Sequence, residues 1–77
     1  MQEVTVPELG KIEEMTLTEW KVQEGQNVVK GQELAEVEAL KTAFSIDSPA
    51  DGKFYRKLIE KGGRTGPGEA IAEIEPV

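Results

Sequence analysis

The sequence contains no cysteine and no histidine among its 77 residues. Without cysteine there are no disulfide bonds and no thiolate nucleophiles, and without either residue type a zinc site of the usual kind is excluded. Acyl-transfer triads that need an imidazole base are excluded as well. A chain of this length suits one small domain, here residues 1–77, without room for a deep catalytic cleft. These absences favour a carrier, adaptor or binding module over an enzyme.

The sequence is also short of positive charge and of long apolar runs. Nine lysine and arginine residues stand against fifteen acids, a net charge of −6. This balance argues against nucleic-acid binding, which needs a basic surface, and against attraction to anionic membranes. No apolar run approaches transmembrane length, and the first ten residues, MQEVTVPELG, lack the apolar core of a signal peptide. We therefore expect a monomeric domain with no nucleic-acid or membrane partner, in the cytoplasm or, in a eukaryote, in the mitochondrial matrix.

The sequence contains an internal repeat that spans most of the chain. A shift of 37 residues aligns VQEGQNVVKGQELAEVE (22–38) with IEKGGRTGPGEAIAEIE (59–75). The alignment preserves turn glycines and apolar positions alike, as in the pairs Gly25/Gly62, Gly31/Gly68, Leu34/Ile71, Val37/Ile74 and Leu17/Phe54. A repeat of this kind must be recognised early because it decides the fold. Here it predicts two copies of one unit, related by a pseudo-twofold axis.

Each repeat unit reads as strand, turn, strand. Residues 35–39 and 70–75 alternate small or branched apolar residues with acids, which is typical of half-buried strands. No window keeps a helical apolar period with start and stop signals. Neither unit could bury its apolar face alone, so each must cover the other. The sequence therefore predicts an all-β fold, a flattened barrel or sandwich.

One turn between strands lacks the residues that tight turns usually require. Residues 36–52, EVEALKTAFSIDSPADG, contain two extended segments that meet at Ala39-Leu40-Lys41-Thr42. Hairpin turns favour Asn-Gly or similar pairs because these adopt positive φ, but a lysine stands here with no acid beside it. From the pattern alone, Lys41 is either a solvated surface lysine, as most lysines are, or an amine displayed for a function. The repeat places this turn and the C-terminal end of the chain at corresponding positions.

Several motifs in their order and spacing resemble the biotinyl/lipoyl attachment domain family over nearly the whole chain. The matching elements are VTVPELG (4–10), EWKVQEGQNVVKGQELAEVE (19–38), EALK (38–41), SPADGKF (48–54) and EAIAEIE, ending at Glu75. The resemblance implies a hammerhead of two four-stranded sheets with a lysine at the tip of a hairpin. A dedicated ligase would convert the ε-amine of Lys41 into an amide with the cofactor. The ligase would recognise the residues around this lysine, which are Glu38, Ala39, Leu40 and Thr42.

Two cofactors fit the resemblance. VTVPELG and LTEWKVQEGQNV are similar to lipoyl domains of 2-oxo acid dehydrogenase acyltransferase (E2) subunits, which favours lipoate on Lys41. EALKT is similar to the first half of the biotinyl pattern Ala-Met-Lys-Met, so biotin is the alternative. Leu40 and Thr42 depart from the Asp-Lys-Ala tip of many lipoyl domains and leave the choice open. With either cofactor, the resemblance implies a non-catalytic swinging-arm carrier that is part of an acyltransferase or a carboxylase.

The lipoyl interpretation implies four partner enzymes. These are a lipoate protein ligase, a 2-oxo acid decarboxylase, an acyltransferase core and a dihydrolipoyl dehydrogenase; the biotinyl alternative implies a biotin protein ligase and a carboxylase. A third hypothesis is an unmodified hammerhead that serves only as an interaction module. No metal site is expected under any of them.

Overall fold

The structure is a computed structural model that describes residues 1–8, 14–39 and 42–77. This part of the chain forms eight β-strands and no helix. The strands are β1 (Gln2–Thr5), β2 (Met15–Trp20), β3 (Asn27–Val28), β4 (Glu33–Ala39), β5 (Thr42–Asp47), β6 (Gly52–Lys57), β7 (Arg64–Thr65) and β8 (Ala70–Pro76). Since the described residues include no helix, they include none that could cross a membrane. The all-β prediction is confirmed.

The strands form two antiparallel sheets of four. Sheet I has the strand order β1-β8-β6-β3, and sheet II has the order β5-β4-β2-β7. Each half of the chain contributes two strands to each sheet, so neither half holds a complete sheet. Within the described residues the sheets do not close into a barrel. The result is the flattened sandwich that the sequence predicted.

The predicted pseudo-twofold is present in detail. A shift of 37 residues converts β2, β3 and β4 into β6, β7 and β8 with identical bounds. It also converts the irregularity in β2 between Leu17 and Glu19 into the one in β6 between Phe54 and Arg56. Across the axis β1 corresponds to β5, since each is the edge strand that pairs with β8 or β4. Sheet I is therefore the image of sheet II.

The turn glycines explain why the repeat survives in the sequence. Gly25, Gly31, Gly62 and Gly68 all have φ between 80° and 92°, a region that residues with a Cβ avoid. Their hydrogen bonds are equivalent as well: the N–H of Gly25 donates to the carbonyl of Phe54, and that of Gly62 donates to the carbonyl of Leu17, both at 2.7 Å. Each such bond ties a turn of one repeat to a strand of the other. The turns therefore hold the two halves together.

The core lies between the sheets and is built from the inward residues of both repeats. Phe54 is fully buried at its centre, and Leu17, its equivalent, is also fully buried. Leu34, Val37, Ile71 and Ile74 fill the space around them, each with no exposed surface. Val37 and Ile74 follow the predicted alternation with the acids beside them, whereas Leu34 and Ile71 break it, since each is followed by a second buried residue. Burying them is the main stabilising contribution to the fold.

Candidate functional site

The β4–β5 ladder leads directly to the predicted attachment site. Its register pairs Ala39 with Thr42, Glu38 with Ala43 and Val37 with Phe44. The two strands therefore end at the same level of sheet II. In the sequence they are joined by Leu40 and Lys41, and these two predicted site residues lie outside the described part of the chain.

The other three predicted site residues lie on the described strands. Ala39 is buried with 1% of its surface exposed and belongs to the core, so its methyl group anchors the end of β4. Glu38 and Thr42 are exposed. Ala39 therefore fixes the position of the strand ends, while Glu38 and Thr42 present their side chains to solvent. A protein that reads this region can contact the latter two directly.

An open groove runs along the outer face of sheet II beside the strand ends. It has a volume of about 400 Å³ and is lined by Glu14, Thr16, Thr18, Glu38 and Arg64. The register places Thr16 between Glu38 on β4 and Arg64 on β7, so these three side chains form one row across the sheet. Arg64 forms an ion pair with Glu14 at one end of the groove. Below the groove, Met15 is buried and supports this corner of the core.

The sequence analysis did not single out Thr16 or Arg64. The repeat carried a signal, because Arg64 aligns with Asn27 and Thr16 aligns with Lys53, so both positions break the similarity of the two halves. Only the register shows that the two side chains neighbour Glu38. Cross-strand rows of this kind depend on pairing between distant segments, which the motifs alone do not specify.

A second groove, of about 490 Å³, lies around Trp20 at the other end of β2. The indole Nε1 donates a hydrogen bond to the carbonyl of Ile59 at 3.1 Å, and its ring centroid lies 5.6 Å from that of Phe54. The Lys57 ammonium lies 5.6 Å from the Trp20 ring centroid. Trp20 therefore packs over the end of the core, and its indole N–H is satisfied by a hydrogen bond.

Two ion pairs on the sheets shift the pKa values of the basic residues that form them. A hydrogen bond from Lys21 to Glu19, at 3.1 Å, raises the pKa of the lysine above its usual value. The ion pair with Glu73 raises the pKa of Arg56 in the same way. Among residues 1–8, 14–39 and 42–77 no three acidic side chains lie close enough together to hold a metal ion.

The fold is a small β-sandwich of two similar halves, and comparison with family models assigns it to a class of domains that carry a covalently attached cofactor. The family model described as "Biotin-requiring enzyme", the biotin/lipoyl attachment family, matches residues 2–74. The chain belongs to this family.

The similar curated proteins are components of dehydrogenase complexes. One is the dihydrolipoyllysine-residue succinyltransferase component of the 2-oxoglutarate dehydrogenase complex of Staphylococcus saprophyticus, 37% identical over 75 residues, which are 96% of this chain and 18% of that protein. Another is the lipoamide acyltransferase component of the branched-chain alpha-keto acid dehydrogenase complex of Pseudomonas aeruginosa, 37% identical over 70 residues, covering 90% of this chain and 15% of that protein. The chain thus spans less than a fifth of the length of these relatives.

A solved structure supports the fold. A single-chain, multi-domain long-chain acyl-CoA carboxylase contains a region that superposes with a TM-score of 0.70 over 94% of this chain and 7% of the carboxylase chain. The sequence identity there is 21%, so this likeness concerns the fold alone.

Proposed function

We propose that this domain is the lipoyl carrier of a 2-oxo acid dehydrogenase complex, with lipoate joined as an amide to the ε-amine of Lys41. The observation that carries the proposal is the set of relatives. Three of them, a succinyltransferase, an acetyltransferase and a branched-chain acyltransferase component, match 90% to 97% of this chain. These relatives favour lipoate over biotin, the alternative that the EALKT motif had left open.

The architecture supports a swinging arm at this position. The amide replaces the lysine charge with a neutral tether, and the side chain and cofactor together reach on the order of 10–15 Å from the backbone, by bond-length counting. The lipoyl dithiolane would accept an acyl group and two electrons from a 2-oxo acid decarboxylase. The arm would deliver the acyl group to coenzyme A at an acyltransferase core, and a dihydrolipoyl dehydrogenase would reoxidise it. Tethering raises the local concentration of the bound intermediate and needs no catalytic group in the domain.

The described residues have supporting roles in this proposal. Ala39 holds the end of β4 in the core, and the register with Thr42 keeps both strand ends level, so the two intervening residues start from a rigid base. Exposed Glu38 and Thr42 are available to the ligase that selects Lys41 among the seven lysines of the chain.

The direct test offers both cofactors at once. The domain is produced with lipoate, biotin and both protein ligases, and its intact mass is measured. We expect a single lipoyl amide on the protein, and none on Lys41→Arg, whose fold should be unchanged. Lys53→Arg is the control, since it alters an exposed lysine of β6 and should leave lipoylation complete. A biotinyl increment would support the carboxylase alternative, and an unmodified protein would support the interaction module.

A further inference from the structure

The two sheets have the same architecture but opposite charge balances. The strands of sheet I contain three acids and three lysine or arginine residues, a net charge of zero. The strands of sheet II contain five acids and one arginine, a net charge of −4. Because the sheets are images of each other, the fold does not require this difference. Most of the chain's net charge of −6 is thus placed on the sheet that leads to the proposed attachment lysine.

Two pairs of equivalent positions account for three of the four charges by which the two sheets differ. On sheet I, Glu75 lies opposite Lys53; on sheet II, the equivalent Glu38 lies opposite Thr16. The second pair of positions differs more strongly: Glu73 forms an ion pair with Arg56 on sheet I, and on sheet II Glu36 lies opposite Glu19.

Like charges directly opposite each other in a sheet are destabilising, and Lys21, which pairs with Glu19 and also lies near Glu36, supplies one positive charge against these two acids. The nearby cations are already engaged, since Lys21 pairs with Glu19 and Arg64 pairs with Glu14. Within the part of the chain that the structure describes, no lysine or arginine nitrogen lies within 4 Å of the Glu36 or Glu38 carboxylate. These two carboxylates share the outer face of β4 and lead towards Thr42 and the end of the hairpin.

We propose that the outer face of sheet II, centred on Glu36, Glu38 and the groove at Thr16, is the surface on which the acylating decarboxylase docks, through lysine and arginine side chains of that enzyme. The inference rests on the proposed function. A negative face complementary to a positive one steers encounter and fixes orientation, and here it would bring the arm and the partner's active site to the same side. Sheet I, with its acids balanced by its own cations, would remain outside the contact.

The chain offers a closely matched pair of variants for the test. Thr16→Lys places a cation opposite Glu38, as Lys53 is placed opposite Glu75 on sheet I. Thr5→Lys makes the same substitution on a strand of sheet I, where the side chain is exposed, and changes the net charge equally. A second pair is Glu36→Gln on sheet II and Glu3→Gln on sheet I. None of these residues lies in the core.

The experiment is an NMR titration of the ¹⁵N-labelled, unlipoylated domain with the 2-oxo acid decarboxylase from the same organism, at low salt. We expect shift changes on β2 and β4, a dissociation constant that rises about tenfold in Thr16→Lys and several-fold in Glu36→Gln, and no comparable change in Thr5→Lys or Glu3→Gln. Raising the salt to about 0.3 M should weaken wild-type binding and shrink these differences, since screening shortens the range of exposed charges.

Three outcomes would overturn the inference: shift changes centred on sheet I, equal effects of Thr16→Lys and Thr5→Lys, or no binding at low salt. Because the domain is unlipoylated in this titration, the result does not depend on the cofactor. Failure of the proposed function would appear instead in the intact mass, as biotin or no group on Lys41. The two failures are therefore distinguishable.

Discussion

Gly52 illustrates how a single residue is fixed by the approach of two strands. A Cβ added at this position would lie 2.3 Å from the carbonyl oxygen of Glu75 and 2.9 Å from the Cα of Pro76. Both contacts involve backbone atoms of β8, which cannot move without disturbing the ladder. Gly25 has a different constraint, because its φ is 92° but a Cβ there would meet nothing within 4 Å.

We predict that Gly52→Ala destabilises the domain more than Gly25→Ala does. The first substitution forces strands apart and should lower the free energy of unfolding by about 3 kcal/mol, as overpacking does. The second adds only conformational strain, of about 1 kcal/mol. Urea denaturation of both variants beside the wild type checks the order. Equal losses would show that β6 and β8 can adjust at Gly52 without the additional cost that overpacking should cause.

At the same scale, sequence reasoning identified most of the core but not the pairings of charged residues. The alternation along β4 and β8 predicts that Val37 and Ile74 lie inside, because a strand has a period of two. Leu34 and Ile71 are out of phase with them and are buried all the same, so alternation does not account for these two. No such period reveals that Thr16 lies between Glu38 and Arg64. The motif predicts that Ala39 is among the residues recognised around Lys41, whereas the Ala39 side chain is buried; its role in recognition stays a prediction.

At the scale of elements, the equivalent turns at Gly31 and Gly68 are stabilised by different residues. The Asp51 carboxylate accepts a hydrogen bond from the backbone N–H of Lys30 at 2.7 Å, which ties the turn at Gly31 to the segment before β6. The equivalent of Lys30 in the second repeat is Pro67, which has no N–H to donate. The equivalent of Asp51 is Glu14, which pairs with Arg64 beside the groove. One turn is thus held by a side-chain hydrogen bond and the other by a proline.

We predict that Asp51→Ala lowers the free energy of unfolding by about 1 kcal/mol, because an exposed charge-assisted hydrogen bond is lost. Asp51→Asn keeps an acceptor oxygen and should lose less. Asp47→Ala serves as the control, since Asp47 is an exposed strand acid whose side chain bonds only Ser45 among the described residues. Chemical denaturation measures all three. A loss in Asp47→Ala as large as that in Asp51→Ala would contradict the assigned role.

Local residue preferences account for a turn at Asp51, because Pro, Asp and Gly in residues 49–52 are typical turn residues. The sequence does not predict the hydrogen-bond partner of Asp51, because Lys30 is 21 residues away and the contact depends on how the two repeats pack together. Local residue preferences thus locate the turns, whereas the hydrogen bonds that stabilise the turns depend on contacts between distant segments.

At the scale of the molecule, the two repeats are interdependent. Each contributes two strands to each sheet, and the bonds of Gly25 and Gly62 cross between repeats. We predict that fragments of residues 1–40 and 41–77 are each unfolded alone, since neither can cover its own apolar face. Circular dichroism and NMR dispersion test this, with the intact chain as the control. A folded, dispersed spectrum from either fragment would show that one repeat suffices.

The pseudo-twofold was visible in the sequence because positive φ restricts four turn positions to glycine. The order of the strands within each sheet was harder to predict from the sequence. The predicted hairpin at residues 39–42 accounts for the pairing of β4 with β5, but a repeat with a shift of 37 residues does not predict that β1 joins β8. The charge difference between the sheets also depends on this order, so it could be seen only after the strands had been assigned to their sheets.

The central claim is that Lys41 carries lipoate, and the native protein tests it most directly. Trypsin does not cleave after an acylated lysine, so a lipoylated chain should yield one peptide spanning residues 31–53 with a lipoyl group on Lys41. Tandem mass spectrometry of protein purified from its own cells, grown without added cofactor, should find this peptide. Cleavage after an unmodified Lys41, or biotin at that position, would contradict the account.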